Sequence, residues 1–168
     1  MGRYESYGIG VLRAVFGDRF TTENVFVPFG PDAGYGELDG TIDGVIAVEV
    51  GVGSPKQLRG SVLDLIFHPY PGKFLVLVDT PGHTTERSVV QAATILGRAG
   101  CSGVVFRLPA EGSDVDVGTN LAEVVDGYIG ETGKNLVRVF DGVEGSDSVL
   151  SFDEADRLFG QWADHEVG

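Results

Sequence analysis

The chain is poor in cysteine, lysine and long apolar runs: among 168 residues there is one Cys, Cys101, and only 3 of the 12 basic residues are lysines. A single cysteine excludes an internal disulfide and fits a reducing compartment. Its neighbours Ala99, Gly100, Ser102 and Gly103 are small, so it reads as a buried structural thiol rather than a nucleophile. No segment approaches the roughly 20 apolar residues of a membrane span. The first residues, MGRYESYGIG, lack the continuous apolar stretch of a signal peptide, so the expected location is cytoplasmic. Hydrophobic residues make up 42%, enough to exclude disorder and to build a core at this length. One domain spanning 1–168 is expected.

Several chemical motifs are missing too. Asp79-Thr80-Pro81-Gly82-His83 follows an apolar run and looks like the metal-sensing segment of translational GTPases. Such proteins also need a phosphate loop, G-x-x-x-x-G-K-[ST]. The nearest approach, Gly51 to Lys56, lacks the second glycine, so a strand-to-helix turn is the better reading. His68, His83 and His165 have no ligand spacing to one another and read as surface or cap residues. No Ser-His-Asp or Cys-His arrangement emerges from spacing.

What is abundant is acid. The net charge is -13, and it is unevenly placed: residues 1–110 balance to -2 and residues 111–168 to -11. An acidic surface repels nucleic-acid phosphates unless its basic residues cluster. The same pattern suits a salt-adapted host, where it carries no message about partners.

Patterning along the chain alternates between helix and strand. Tyr4 to Phe16 is amphipathic and closed by Gly17, although Gly8 and Gly10 weaken a helix. Asn24 to Phe29 reads as a short strand. Tyr35 to Ile42 and Val45 to Val52 are extended runs around Asp43-Gly44, a hairpin-turn dipeptide. Ser54 to Phe67 is the best-signalled helix, with Ser54 as N-cap, Pro55 at the first helical position and Gln57 as capping-box partner. Phe74 to Val78 is continuously apolar, as a central strand covered on both faces would be. Thr85 to Arg98 is a second helix and Ser102 to Leu108 a strand. A short helix (Asn120 to Ile129), a strand (Asn135 to Phe140) and a final helix opened by Ser151 and Glu154 complete the series. The expected fold is α/β, a central mixed sheet flanked by helices, antiparallel at the hairpin and parallel at the later crossovers.

Within this plan the hairpin carries the chemistry. A turn at Asp43-Gly44 sets Asp39 roughly opposite Val48 and Glu49, at the about 5 Å of cross-strand neighbours. Opposed carboxylates repel unless a cation or proton lies between them. A divalent-metal site is the expectation. Asp64 shares a helical flank with Gln57 and Ser61, facing either this site or solvent.

Helix, antiparallel strand trio, helix, strand, with Asp39 on the second strand and Glu49 on the third, resembles the core of the PD-(D/E)xK nuclease superfamily. That group includes restriction endonucleases and Holliday-junction resolvases. The resemblance covers residues 1–108, with 109–168 as an acidic C-terminal extension packed on this core. It implies a restriction-endonuclease-like fold and a nuclease hydrolysing nucleic acid, DNA first, with a possible homodimer. It also implies that Asp39, Glu49 and the carbonyl of Val50 hold Mg²⁺ or Mn²⁺. The family's lysine, two residues after the Glu, is replaced by Gly51. Lys56 is the nearest substitute, Gln57 an alternative catalytic group, and Arg59 a phosphate contact. Lys73 and Arg87 are further candidates for a basic face. If neither Lys56 nor Gln57 serves, the chain is a non-catalytic structural or interaction module on the same fold.

Overall fold

A seven-stranded mixed sheet organises the computed structural model, which describes all residues except Asn24, 82–84, 130–135 and 152–168. The elements in chain order are α1 (Arg3–Phe16), β1 (Phe20–Thr21), β2 (Phe26–Gly30), β3 (Gly34–Glu37), β4 (Gly40–Ile42), β5 (Ile46–Val52) and α2 (Pro55–Phe67). There follow β6 (Gly72–Val78), α3 (Thr85–Arg98), β7 (Ser102–Leu108), α4 (Val117–Ile129), β8 (Leu136–Asp141) and β9 (Ser146–Ser151). The strand order is β1-β4-β5-β6-β7-β8-β9, with β2 and β3 forming a separate hairpin. Strands β5 to β8 are parallel, and the pairs at either end are antiparallel.

The expected α/β plan and mixed sheet are therefore present. All seven residues of β6 are buried, as a continuous apolar run in a central strand requires. Alternating strand residues feed two cores. Ile9, Leu12 and Phe16 of α1 join Leu121, Val124 and Val125 of α4 over one face. Leu58, Val62 and Leu65 of α2 join Val89, Ala93 and Leu96 of α3 over the other.

That distribution has a topological meaning. Each of β6, β7 and β8 steps one place further across the sheet, yet α2 and α3 cover one face and α4 the other. The crossover through α4 therefore has the opposite hand to the two before it, against the strong preference for a single hand. Helix α3 already packs over β8, so that face is filled when α4 forms.

Three expectations change on contact with the fold. The run Tyr35 to Ile42 is not one strand: β3 pairs with β2, and the chain breaks at Leu38-Asp39 before β4 joins the main sheet. Leu38 is buried and its N–H bonds Val25, holding the crossing between sheets. The chain beyond residue 108 does not merely pack on a core: β8 and β9 extend the same sheet, and α4 covers one of its faces. Strand β9, a polar antiparallel edge after a turn at Gly145, was not expected from its SDSVLS sequence, and Ser151 ends it. The final helix predicted beyond Ser151, with His83 and His165, lies outside the described residues.

Candidate functional site

The site is built on the turn between β4 and β5. Asp43 and Gly44 both adopt left-handed backbone, φ 54° and 66°, which Asp tolerates and Gly favours. Arg19 holds the turn with a 2.8 Å ion pair to Asp43. This accounts for Asp43 without catalysis. The turn fixes a register of Ile42 with Ile46, Thr41 with Ala47 and Gly40 with Val48. The pairing ends there, and Asp39, the residue just before β4, lines the same cleft as Glu49. Asp39 leans across the gap, its carboxylate accepting the Val50 N–H at 2.7 Å. A side chain thus extends the ladder where the backbone pairing stops.

Helix α2 closes one side. Ser54 caps it, its hydroxyl accepting the Gln57 N–H at 3.4 Å. The helix phase then turns Gln57, Ser61 and Asp64 toward the acids. The Ser61 side chain stands by Glu49 and counters part of the upward push on its carboxyl. The alternative left open for Asp64, site or solvent, resolves to the site.

Glu5 is the residue that spacing could not find. It sits in the first turn of α1 and lines the same cleft. Gly8 explains its arrival. A Cβ there would lie 2.4 Å from the Val50 side chain, so glycine lets α1 press against β5. The glycine that weakens the helix in isolation serves its docking.

Together these groups enclose an open cleft of about 470 Å³. Glu5, Asp39, Glu49 and Asp64 line it, with Tyr4, Gln57 and Ser61; among the described residues no Lys or Arg does. The electrostatics follow. Glu49 is only 6% exposed. Burial first, and the Asp39 charge second, push its carboxyl up to about 9. Burial likewise raises Asp39 to about 6, against the lowering effect of the Val50 N–H. Asp64 is shifted upward by burial as well. At neutral pH this burial favours the protonated form of Glu49.

The predicted cations stand elsewhere. Lys56 and Arg59 are exposed on α2 and lie outside the cleft lining, although their neighbours Gln57 and Gly60 belong to it. Arg87 is exposed on α3. Lys73 is a correction: it is buried at the start of β6 and donates to the His68 carbonyl at 2.5 Å, satisfying the end of α2. It is no surface cation.

The remaining motifs are structural. Asp79 accepts the Thr85 hydroxyl and, at 3.0 Å, Arg107, which also reaches Asp141 at 3.1 Å. This charge triad joins the ends of β6, β7 and β8, and the turn reading of Asp79-Thr80-Pro81 stands. His68 is buried at the end of α2, its Nδ1 accepting the Tyr70 N–H. Cys101 is half-buried, and burial pushes its thiol up, away from reactivity.

The oxygen-only donors at Asp39, Glu49 and Val50 suit a hard divalent cation. Among the described residues, no group of three or more His, Cys, Asp or Glu is gathered as a metal centre. The fit is to the Asp39 and Glu49 pair, with the other acids around it. No protein-family model, curated protein or solved structure matches this chain.

Proposed function

We propose that this protein is a metal-dependent nuclease with a restriction-endonuclease-like core, hydrolysing phosphodiester bonds in nucleic acid, DNA in the first instance. One observation carries the reading: Asp39 and Glu49 line one open cleft, near enough for the charge of the first to act on the second. The order α1, β1, β4, β5, α2, β6, antiparallel up to β5 and parallel after it, supports the same core.

Asp39 and Glu49, with the Val50 carbonyl, would hold Mg²⁺ or Mn²⁺, and the bound ion supplies Lewis-acid polarisation of the phosphate and a water of lowered pKa. The chain's own residues prepare for it. Asp39 is oriented by the Val50 N–H, and Ser61 stands by Glu49. Gln57 faces the cleft and can orient a water. Lys56 and Arg59 flank it along α2 and can meet the phosphates on either side of the cut. In the reaction a water oxygen forms the new P–O bond. The bond to the leaving ribose oxygen breaks, and the water's protons pass to that oxygen and to solvent.

The second reading, a non-catalytic relative, is favoured by the lack of a Lys or Arg in this cleft among the described residues, and by Gly51. Calorimetry with Mg²⁺ and Mn²⁺, followed by cleavage assays on DNA and RNA, separates the two. Metal uptake with cleavage, both lost in Asp39→Asn, supports the enzyme. Uptake without cleavage supports the relative. No uptake by the wild-type protein refutes the metal site itself.

A further inference from the structure

A second cleft adjoins the first. It has a volume of about 450 Å³ and is lined in part by Glu5, Arg13, Thr22, Glu37, Leu38 and Asp39. Glu5 and Asp39 belong to both clefts, so the two meet at these carboxylates. Glu5 and Arg13 lie on one flank of α1, spaced i and i+8, which is about 12 Å along the axis or a few nucleotides of a strand. Arg13 is exposed and, among the described residues, is the one Lys or Arg lining either cleft.

The hairpin of β2 and β3 stands beside the second cleft and contributes Glu37 to its lining, while Phe26 and Tyr35 lie outside the lining of both clefts. Its register alternates faces, so Val27 is fully buried while Phe26, Pro28, Tyr35 and Glu37 point outward. Phe26 pairs directly with the cleft residue Glu37. Phe26 is 56% and Tyr35 70% exposed, their rings edge to face with centroids 5.3 Å apart. Two large aromatics held in water beside a cleft need a partner with flat apolar faces. Unpaired nucleobases have such faces, and each stacked base stabilises a complex without demanding a sequence. Bases inside an intact duplex are already stacked and present no face to the rings.

We infer that the two clefts take a single, unpaired nucleic-acid strand, gripped by Arg13 at a phosphate and by Phe26 and Tyr35 at the bases. The inference rests on the nuclease reading and specifies its substrate class. Charge adds a condition. Glu5, Glu37 and Asp39 outnumber Arg13 in this cleft, so the strand is repelled until a divalent cation sits on the Asp39 and Glu49 pair. Strand binding is therefore coupled to metal binding.

The test uses the full chain, Ca²⁺ in place of Mg²⁺ to block cutting, and fluorescence anisotropy. One probe is a labelled oligothymidylate of about 12 nucleotides, within the usual single-strand site size. The other is a duplex of the same length. The expected result is binding of the single strand in Ca²⁺ but not in chelator, with the duplex at least about ten-fold weaker. Phe26→Ala and Tyr35→Ala should each weaken it about five-fold or more with the salt slope unchanged. Arg13→Ala should lower that slope by about 0.7, the share of one phosphate contact on a single strand. These three side chains are exposed, so the variants fold, and an unchanged melting temperature checks it. Equal binding of both probes, or aromatic variants that bind like wild type, overturns the inference. The nuclease reading then stands if calorimetry still detects Ca²⁺. Absence of both Ca²⁺ uptake and probe binding overturns both.

Discussion

Replacing Glu49 by Gln should make the protein more stable, and only in part of the pH range. The side chain is buried with a carboxyl held at about 9 against an ordinary 4.5. The folded chain therefore keeps a proton that the unfolded chain surrenders between those limits. Glu49's contribution is fully present below about pH 4.5 and is lost as pH rises toward about 9. At pH 7 the gap corresponds to a ceiling of about 3 kcal/mol, at 1.36 kcal/mol for each unit. Gln keeps the shape and does not titrate. Glu49→Gln should accordingly gain about 2–3 kcal/mol at pH 7 in chelator, or roughly 5–10 °C in melting temperature for a chain of this size. Near pH 4.5 the gain should vanish, and toward pH 9 it should grow. Urea and thermal unfolding of both proteins across this range give the curve. A variant no more stable than wild type at pH 7, or a difference that stays flat with pH, would refute the buried, uncompensated acid on which the site rests.

Other perturbations test neighbouring links. Divalent cation at about 100 times its dissociation constant should stabilise the wild-type fold by roughly 2.7 kcal/mol, and Asp39→Asn should abolish the shift in melting temperature. Gly51→Lys should fold normally, because a Cβ there meets only Leu77 and Ser61 at 3.7 Å; it brings a cation to the cleft and should raise the cleavage rate, read on a labelled substrate. Arg107→Met should cost about 2–3 kcal/mol in urea unfolding, because it strands Asp79 and Asp141, each about one-fifth exposed.

Local signals were the legible part. The Ser54 cap, the Asp43-Gly44 turn and the apolar run of β6 each depend on a few adjacent residues, and each appears where spacing put it. Asp39 and Glu49 meet in one cleft because one turn leads to both, although Asp39 lies in the break before β4 rather than on a strand. Glu5 was hidden since α1 reaches the cleft through tertiary packing at Gly8, whose local propensity argues the other way. Lys73 reads as a surface cation until β6 is seen to begin under the end of α2. The break at Leu38-Asp39 was invisible because both halves of the run are extended, and only their partners differ.

The two acids do not share the same footing. Glu49 stands on β5, which pairs with β6 over its whole length and with β4 as far as Val48. Asp39 precedes a three-residue strand whose outer edge is guarded by the two residues of β1 alone. Local opening at the margin of a sheet is cheaper than at its centre, so amide exchange around Asp39 should outpace that around Glu49. An ion shared between them would act as a stitch, fastening a frayed hem to the cloth. The cleft is then rigid when loaded and loose when empty, and the margin itself becomes the reporter of occupancy.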